Sequence, residues 1–196
     1  MLGLTGPSGG GKSFLAAYLR EKGVPVVDAD RQARKATVPG SPALPALAAA
    51  FSPEILYPDG SLNRGELARR AFAGREQTDR LNAILHPIIL RLMDEELAAR
   101  KAEGHSLVVL DAPQLYEAGA DAACDGVVAV LAPAELRLAR IMARDGIGEA
   151  EARRRMSAGL PDDYFHKRGA YILINDGDWA ALQKAADALL DKILGE

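Results

Sequence analysis

Gly6-Pro7-Ser8-Gly9-Gly10-Gly11-Lys12-Ser13 follows a short apolar run at residues 1–5. It precedes a pattern in which Phe14, Leu15, Tyr18 and Leu19 recur at helical spacing. Glycine, four residues, glycine, lysine and a hydroxyl residue, set between a strand and a helix, form the pattern of a phosphate-binding loop. The order has a physical reason. A polyphosphate is held by several backbone N–H groups turned inward, a course open to residues without a Cβ. The helix that follows adds unsatisfied N–H groups and the positive end of its dipole. Ser8, Gly9, Gly10, Gly11, Lys12, Ser13 and Phe14 are therefore the expected nucleotide contacts. Lys12 is expected on the β and γ phosphates and the Ser13 hydroxyl on Mg2+. A Gly-rich turn before an ordinary helix is the plainer alternative, but the whole order of elements favours a nucleoside triphosphate.

Downstream, Pro25-Val26-Val27 reads as a buried strand, and Asp28-Ala29-Asp30 follows at its carboxyl end. Ligands of open parallel sheets gather beyond the carboxyl ends of the strands. Phosphoryl transfer asks for positioning, charge neutralisation and a group that orients the attacking hydroxyl. Asp30 is the candidate for that last task and Asp28 the second; one of the pair can equally cap the next helix. Residues 31–104 show no convincing strand. Helical stretches are expected at 31–37, 42–51, 64–72 and 87–101, with Asn63 as N-cap and Glu66 placed as in a capping box. Pro87 fits the start of the last of these, and His86 before it reads as ordinary punctuation.

Residues 106–110 return to strand and run into Asp111, an acid expected near Mg2+ in a phosphate-loop enzyme. Further strands are expected at 126–131 and at 171–174, the latter ending on Asn175. The helix at 133–144 carries Arg137, Arg140 and Arg144 on one face. Such charge is either solvated decoration or a clamp for phosphoryl groups; the second reading is favoured for Arg140 and Arg144 and stays even for Arg137. A charged helix at 149–158 suits a lid, and 179–194 reads as a closing amphipathic helix packed in part by Trp179. Strands alternating with helices predict a doubly wound α/β domain with a parallel sheet.

The chain has 196 residues, 48% of them hydrophobic and 26% charged, enough for one domain with a sizeable core. A net charge of -3 argues against a broad nucleic-acid or membrane footprint. The single cysteine, Cys124, forms no internal disulfide, and no apolar span or targeting segment is evident, so a cytoplasmic protein is expected. Cys124, His105 and His166 lack the spacing of a zinc site.

Several stretches in order resemble the dephospho-CoA kinase family. They are the 6–13 loop, Val27-Asp28-Ala29-Asp30-Arg31-Gln32-Ala33-Arg34 with Pro39-Gly40, Leu81-Asn82-Ala83-Ile84-Leu85-His86-Pro87, Asp111-Ala112-Pro113-Gln114-Leu115-Tyr116-Glu117, and then Arg140, Arg144 and Asn175. The resemblance spans nearly the whole chain. It implies a three-layer P-loop kinase fold: a parallel sheet of about five strands with helices on both faces, a helical CoA-binding insertion at about 31–104 and a lid at about 145–168. The implied reaction moves the γ-phosphate of ATP, with Mg2+, to the ribose 3′-hydroxyl of dephospho-CoA. It implies Asp30 as the acid-base residue, with Lys12, Arg140 and Arg144 on phosphate charge. Asn175 falls to the nucleotide side, and Asp28, Arg34, His86 and Pro113 to the acceptor side. A monomer or weak homo-oligomer without nucleic-acid or membrane partners is expected. The sequence departs from the family at Gly159 and Phe165, where Gln and Lys are usual, and at Ala170-Tyr171 in place of Ala-Asp. Lys167 stands two residues past the expected lysine. Another small-molecule kinase of the same fold and an idle CoA- or ATP-binding relative remain as alternatives.

Overall fold

The computed structural model describes residues 1–168 and 171–195; Ala170, one of the departures noted above, lies outside them. Five strands form one sheet in the order β2-β3-β1-β4-β5. They are β1 (Leu2–Thr5), β2 (Val26–Asp28), β3 (Val109–Asp111), β4 (Gly126–Leu131) and β5 (Tyr171–Ile174). β1 pairs parallel with β3, as Leu2 with Val109, and with β4, as Leu2 with Gly126; β4 pairs parallel with β5, as Val128 with Tyr171. The strands are short and rich in Val and Leu, and β1, β3 and β4 are buried almost throughout, as parallel strands covered on both faces are. The expected α/β fold with a five-stranded parallel sheet is found.

The chain divides into two compact units, Met1–Val27 with Arg100–Glu196, and Asp28–Ala99. In the first, helix α1 (Lys12–Glu21) follows β1 and helix α9 (Trp179–Leu194) follows β5. Leu2 and Leu4 of β1 point to the face where Leu15 and Leu19 of α1 meet Leu182, Ala186 and Leu190 of α9. Gly3 points to the opposite face, where a Cβ would stand 2.6 Å from Leu115. This alternation is the period-two signature of a strand between two layers. Helices α6 (Ala134–Asp145) and α7 (Glu149–Ser157) pack through Leu138, Ile141 and Ala152. A short helix, α8 (Asp162–Lys167), follows.

The second unit holds α2 (Ala29–Lys35), α3 (Ala43–Phe51), α4 (Arg64–Ala71) and most of α5 (Arg75–Ala102). Leu47, Phe51, Ile55, Leu67 and Leu81 form its core. The helix expected to start at Pro87 starts twelve residues earlier, and Pro87 lies inside it. Ile84, Leu85 and Ile88 bind that part of α5 to the core, and this burial outweighs the one ladder bond that proline forfeits. Asn63 caps α4 by accepting from the Glu66 N–H at 3.1 Å. The Glu66 side chain does not close a capping box; it accepts from Arg69 and Arg70 instead.

Candidate functional site

The phosphate loop is shaped from both ends. Gly10 N–H donates to Pro7 O at 3.0 Å, closing a turn, and Phe14 N–H and Leu15 N–H take Gly11 O to begin α1. Gly11 has φ +104, and a Cβ there would stand 1.9 Å from Asn175 Nδ2. No residue but glycine fits that position. The N–H groups of Gly9, Gly11, Lys12 and Ser13 donate to no backbone acceptor among the described residues. Four such donors beside a helix N-terminus make an anion site.

Lys12 Nζ lies 2.5 Å from Asp111 Oδ1, joining the loop to the end of β3. Both side chains are largely buried, so the pair partly neutralises charge that is costly to bury alone. Ser13 stands exposed in the first turn of α1. A hydroxyl and a carboxylate are the hard oxygen donors that Mg2+ takes alongside phosphate and water, so Ser13 and Asp111 fit that ion chemically. No cluster of three His, Cys, Asp or Glu suited to a metal occurs among the described residues. Pro113 is fixed through its carbonyl, which accepts from Thr5 Oγ at 3.2 Å.

The arginines of α6 separate. Arg137 is buried; it donates from Nε to Ser8 O and from Nη1 to Asp162 Oδ1, at 3.2 and 2.8 Å. Arg140 donates to Gly9 O at 3.1 Å and to Asn175 Oδ1 at 3.0 Å. Arg144 turns instead to Asp145 at 2.7 Å, which holds the Asp145 carboxyl below its usual range. The structure thus brings Arg140, Asn175, Asp111 and Lys12 to the loop and leaves Arg144 paired beside it in sequence with its neighbour. Arg137, for which decoration and clamp were evenly balanced, is the one of the three that is buried against the loop.

Trp179 stacks on Phe14 with ring centroids 4.0 Å apart, and the Arg140 guanidinium lies 5.2 Å from the indole. A stacked aromatic pair adds about 0.5–1.5 kcal/mol beyond its burial. In α8, Phe165 is buried against Tyr116, while Lys167 is exposed and 3.7 Å from Asp163.

Asp28, Asp30, Arg34 and His86 belong to the second unit. Asp28 is the helix cap of the acid pair, accepting from Arg31 N–H at 3.0 Å. Asp30 stands exposed in the first turn of α2, and its carboxylate has no hydrogen-bond or ion-pair partner among the described residues. His86 is exposed on α5 within the helix, and so is not the boundary residue the sequence suggested. A cavity of ≈ 210 Å³ in this unit is lined by Arg34, Thr37, Arg64, Leu67, Phe72 and Leu85, among others. Arg64 donates to Thr37 Oγ at 2.9 Å, and neither Arg34 nor Arg64 has a carboxylate partner among the described residues. Two uncompensated cations on an apolar cavity suit an anionic ligand with an apolar part.

Residues 1–181 match the family model described as dephospho-CoA kinase. The chain is 46% identical over 195 residues to a dephospho-CoA kinase of Anaeromyxobacter dehalogenans, covering 100% of this chain and 92% of that one. A solved structure of TT1252 from Thermus thermophilus is 37% identical with a TM-score of 0.84, over 97% of this chain and 96% of that one. Dephospho-CoA kinase from Campylobacter jejuni, 23% identical with a TM-score of 0.74 over 98% and 96% of the two chains, shares the fold.

Proposed function

The chain belongs to the dephospho-CoA kinase family, and on that premise we propose how its own residues carry the transfer. The protein is a phosphotransferase that moves the γ-phosphate of ATP to the ribose 3′-hydroxyl of dephospho-CoA, giving CoA and ADP. No finding favours the other acceptor or the idle binder left open by the sequence. The observation that carries the reading is an intact phosphate loop, with the N–H groups of Gly9, Gly11, Lys12 and Ser13 uncommitted to other backbone, in a chain matching the family over residues 1–181.

Lys12 leaves part of its charge on Asp111 in the free protein and gives it to the β and γ phosphates when nucleotide binds. Ser13 and Asp111 would hold Mg2+, which would supply neutralisation of phosphate charge there. Asp30 accepts the proton of the 3′-hydroxyl; its carboxylate, unlike that of Asp28, is not spent on a helix cap. Arg34, His86 and Pro113 receive the acceptor, with the Arg34–Arg64 cavity taking its anionic and apolar parts. The 31–104 stretch is the acceptor-binding insertion and 145–168 the lid. A cytoplasmic monomer or weak homo-oligomer without nucleic-acid partners stays part of the proposal; among the described residues no helix is apolar and long enough to cross a membrane, and the net charge is -3.

The test is ADP release with ATP, Mg2+ and dephospho-CoA, with adenosine and shikimate as control acceptors. Release that depends on dephospho-CoA is expected. Release only with another acceptor, or none with any, contradicts the reading.

A further inference from the structure

Three consecutive carbonyls of the phosphate loop are each taken by a side chain from outside it. Ser8 O accepts from Arg137 Nε at 3.2 Å, Gly9 O from Arg140 Nη1 at 3.1 Å, and Gly10 O from Asn175 Nδ2 at 2.8 Å. In a planar trans peptide, the C=O of one residue and the N–H of the next point in opposite directions. Holding the Ser8 and Gly10 carbonyls outward therefore turns the N–H groups of Gly9 and Gly11 to the loop's inner side. Holding the Gly9 carbonyl likewise sets Gly10 N–H opposite to it, and that N–H is spent on closing the turn with Pro7 O.

The holders are themselves held. Arg140 Nη2 donates to Asn175 Oδ1, Arg137 pairs with Asp162, and Asn175 is fully buried. The fit is close as well as bonded: a Cβ on Gly9 would stand 2.8 Å from Arg137 O. Three neighbouring glycines left alone would sample many peptide orientations, and ordering them would be charged against nucleotide affinity.

We propose that Arg137, Arg140 and Asn175 form an outer clamp, positioning residues that pre-set the Gly9 and Gly11 N–H groups for a polyphosphate and act through the loop. The proposal rests on the loop being the nucleotide site. It moves Asn175 and Arg140 from contact with the nucleotide to support of the backbone that contacts it, and it gives Arg137 a task.

Asn175→Asp tests it. Aspartate keeps the size and the acceptor for Arg140 but has no donor for Gly10 O. A buried acceptor stripped of its partner weakens the bound geometry, so ADP and tripolyphosphate should both bind about tenfold to a hundredfold more weakly by calorimetry. The KM for ATP should rise by the same factor, with kcat at saturating ATP changed far less. The amide resonances of Gly9 and Gly11 should shift in the ligand-free variant, which a loss of global stability alone does not produce. Unchanged ADP affinity overturns the clamp, as does loss of kcat alone with ADP affinity intact, which marks a direct contact in the transition state. Should Asn175→Asp fail to fold, Arg137→Met removes the donor to Ser8 O, and the same parallel loss or its absence decides. A wild-type protein that binds no ADP overturns the nucleotide reading itself, whereas dephospho-CoA-dependent turnover with a tight-binding Asn175→Asp overturns the clamp alone.

Discussion

Lys12, the first residue of α1, and Asp111, the last of β3, form an ion pair with Nζ and Oδ1 2.5 Å apart. The pair ties the phosphate loop to the strand beside β1. It also holds the lysine's charge at the phosphate loop, where the proposed transfer needs a cation. Lys12→Ala should lower kcat by about 100- to 1,000-fold, the loss typical of removing one transition-state charge partner. Single-turnover transfer with saturating ATP measures this, and near-normal turnover contradicts the assignment.

Asp30 is the exposed carboxylate of α2 without a partner among the described residues, while Asp28 caps the helix. Asp30→Asn should leave ATP binding intact and lower kcat by about 100- to 10,000-fold, the range for loss of a general base. Asp28→Asn retains a capping oxygen and should cost far less turnover. Equal losses in the two variants would contradict the division of roles.

Arg64 lines the cavity of the second unit and reaches Thr37 Oγ at 2.9 Å. Arg64→Ala should raise the KM for dephospho-CoA about tenfold, the scale of one charged hydrogen bond, and leave the KM for ATP unchanged. An ATP-side effect of the same size would show that the cavity does not serve the acceptor.

Glu66 accepts from Arg69 first and Arg70 second, and its carboxyl is held at about 2 instead of 4.5. A carboxyl depressed on folding contributes stability that is fully present above 4.5 and is lost as pH falls toward about 2. Glu66→Gln should therefore flatten the fall in Tm between pH 5 and pH 2.5, read by circular dichroism. An unchanged slope contradicts this role for the ion pair.

Much of the fold was legible because the strands are short apolar runs, β2 and β3 ending on Asp28 and Asp111 and β5 running into Asn175, and such runs admit few topologies. Where the reading failed, one residue had two meanings. Pro87 starts helices more readily than it sits inside them, yet Leu81, Ile84, Leu85 and Ile88 already carried the helical period across it. Of the site, the loop was legible from its glycines and Lys12, since few other chemistries need that order. Asp28 against Asp30 was not, because either carboxylate can cap a helix and only the hydrogen bond to Arg31 N–H separates them. Arg137 stayed undecided between decoration and clamp for a similar reason. A charged residue on a helix face is ordinarily solvated, and its burial beside Ser8 and Asp162 depends on contacts far apart in sequence. The Trp179–Phe14 stack was invisible on the same grounds: 165 residues separate partners that only the adjacency of α1 and α9 brings together.

The central claim is transfer to the 3′-hydroxyl of dephospho-CoA, and identification of the product tests it most directly. The purified protein, ATP, Mg2+ and dephospho-CoA should yield ADP and an equal amount of CoA bearing phosphate on the ribose 3′-oxygen, resolved by chromatography and phosphorus NMR. ADP without CoA, or phosphate on any other oxygen, would contradict it.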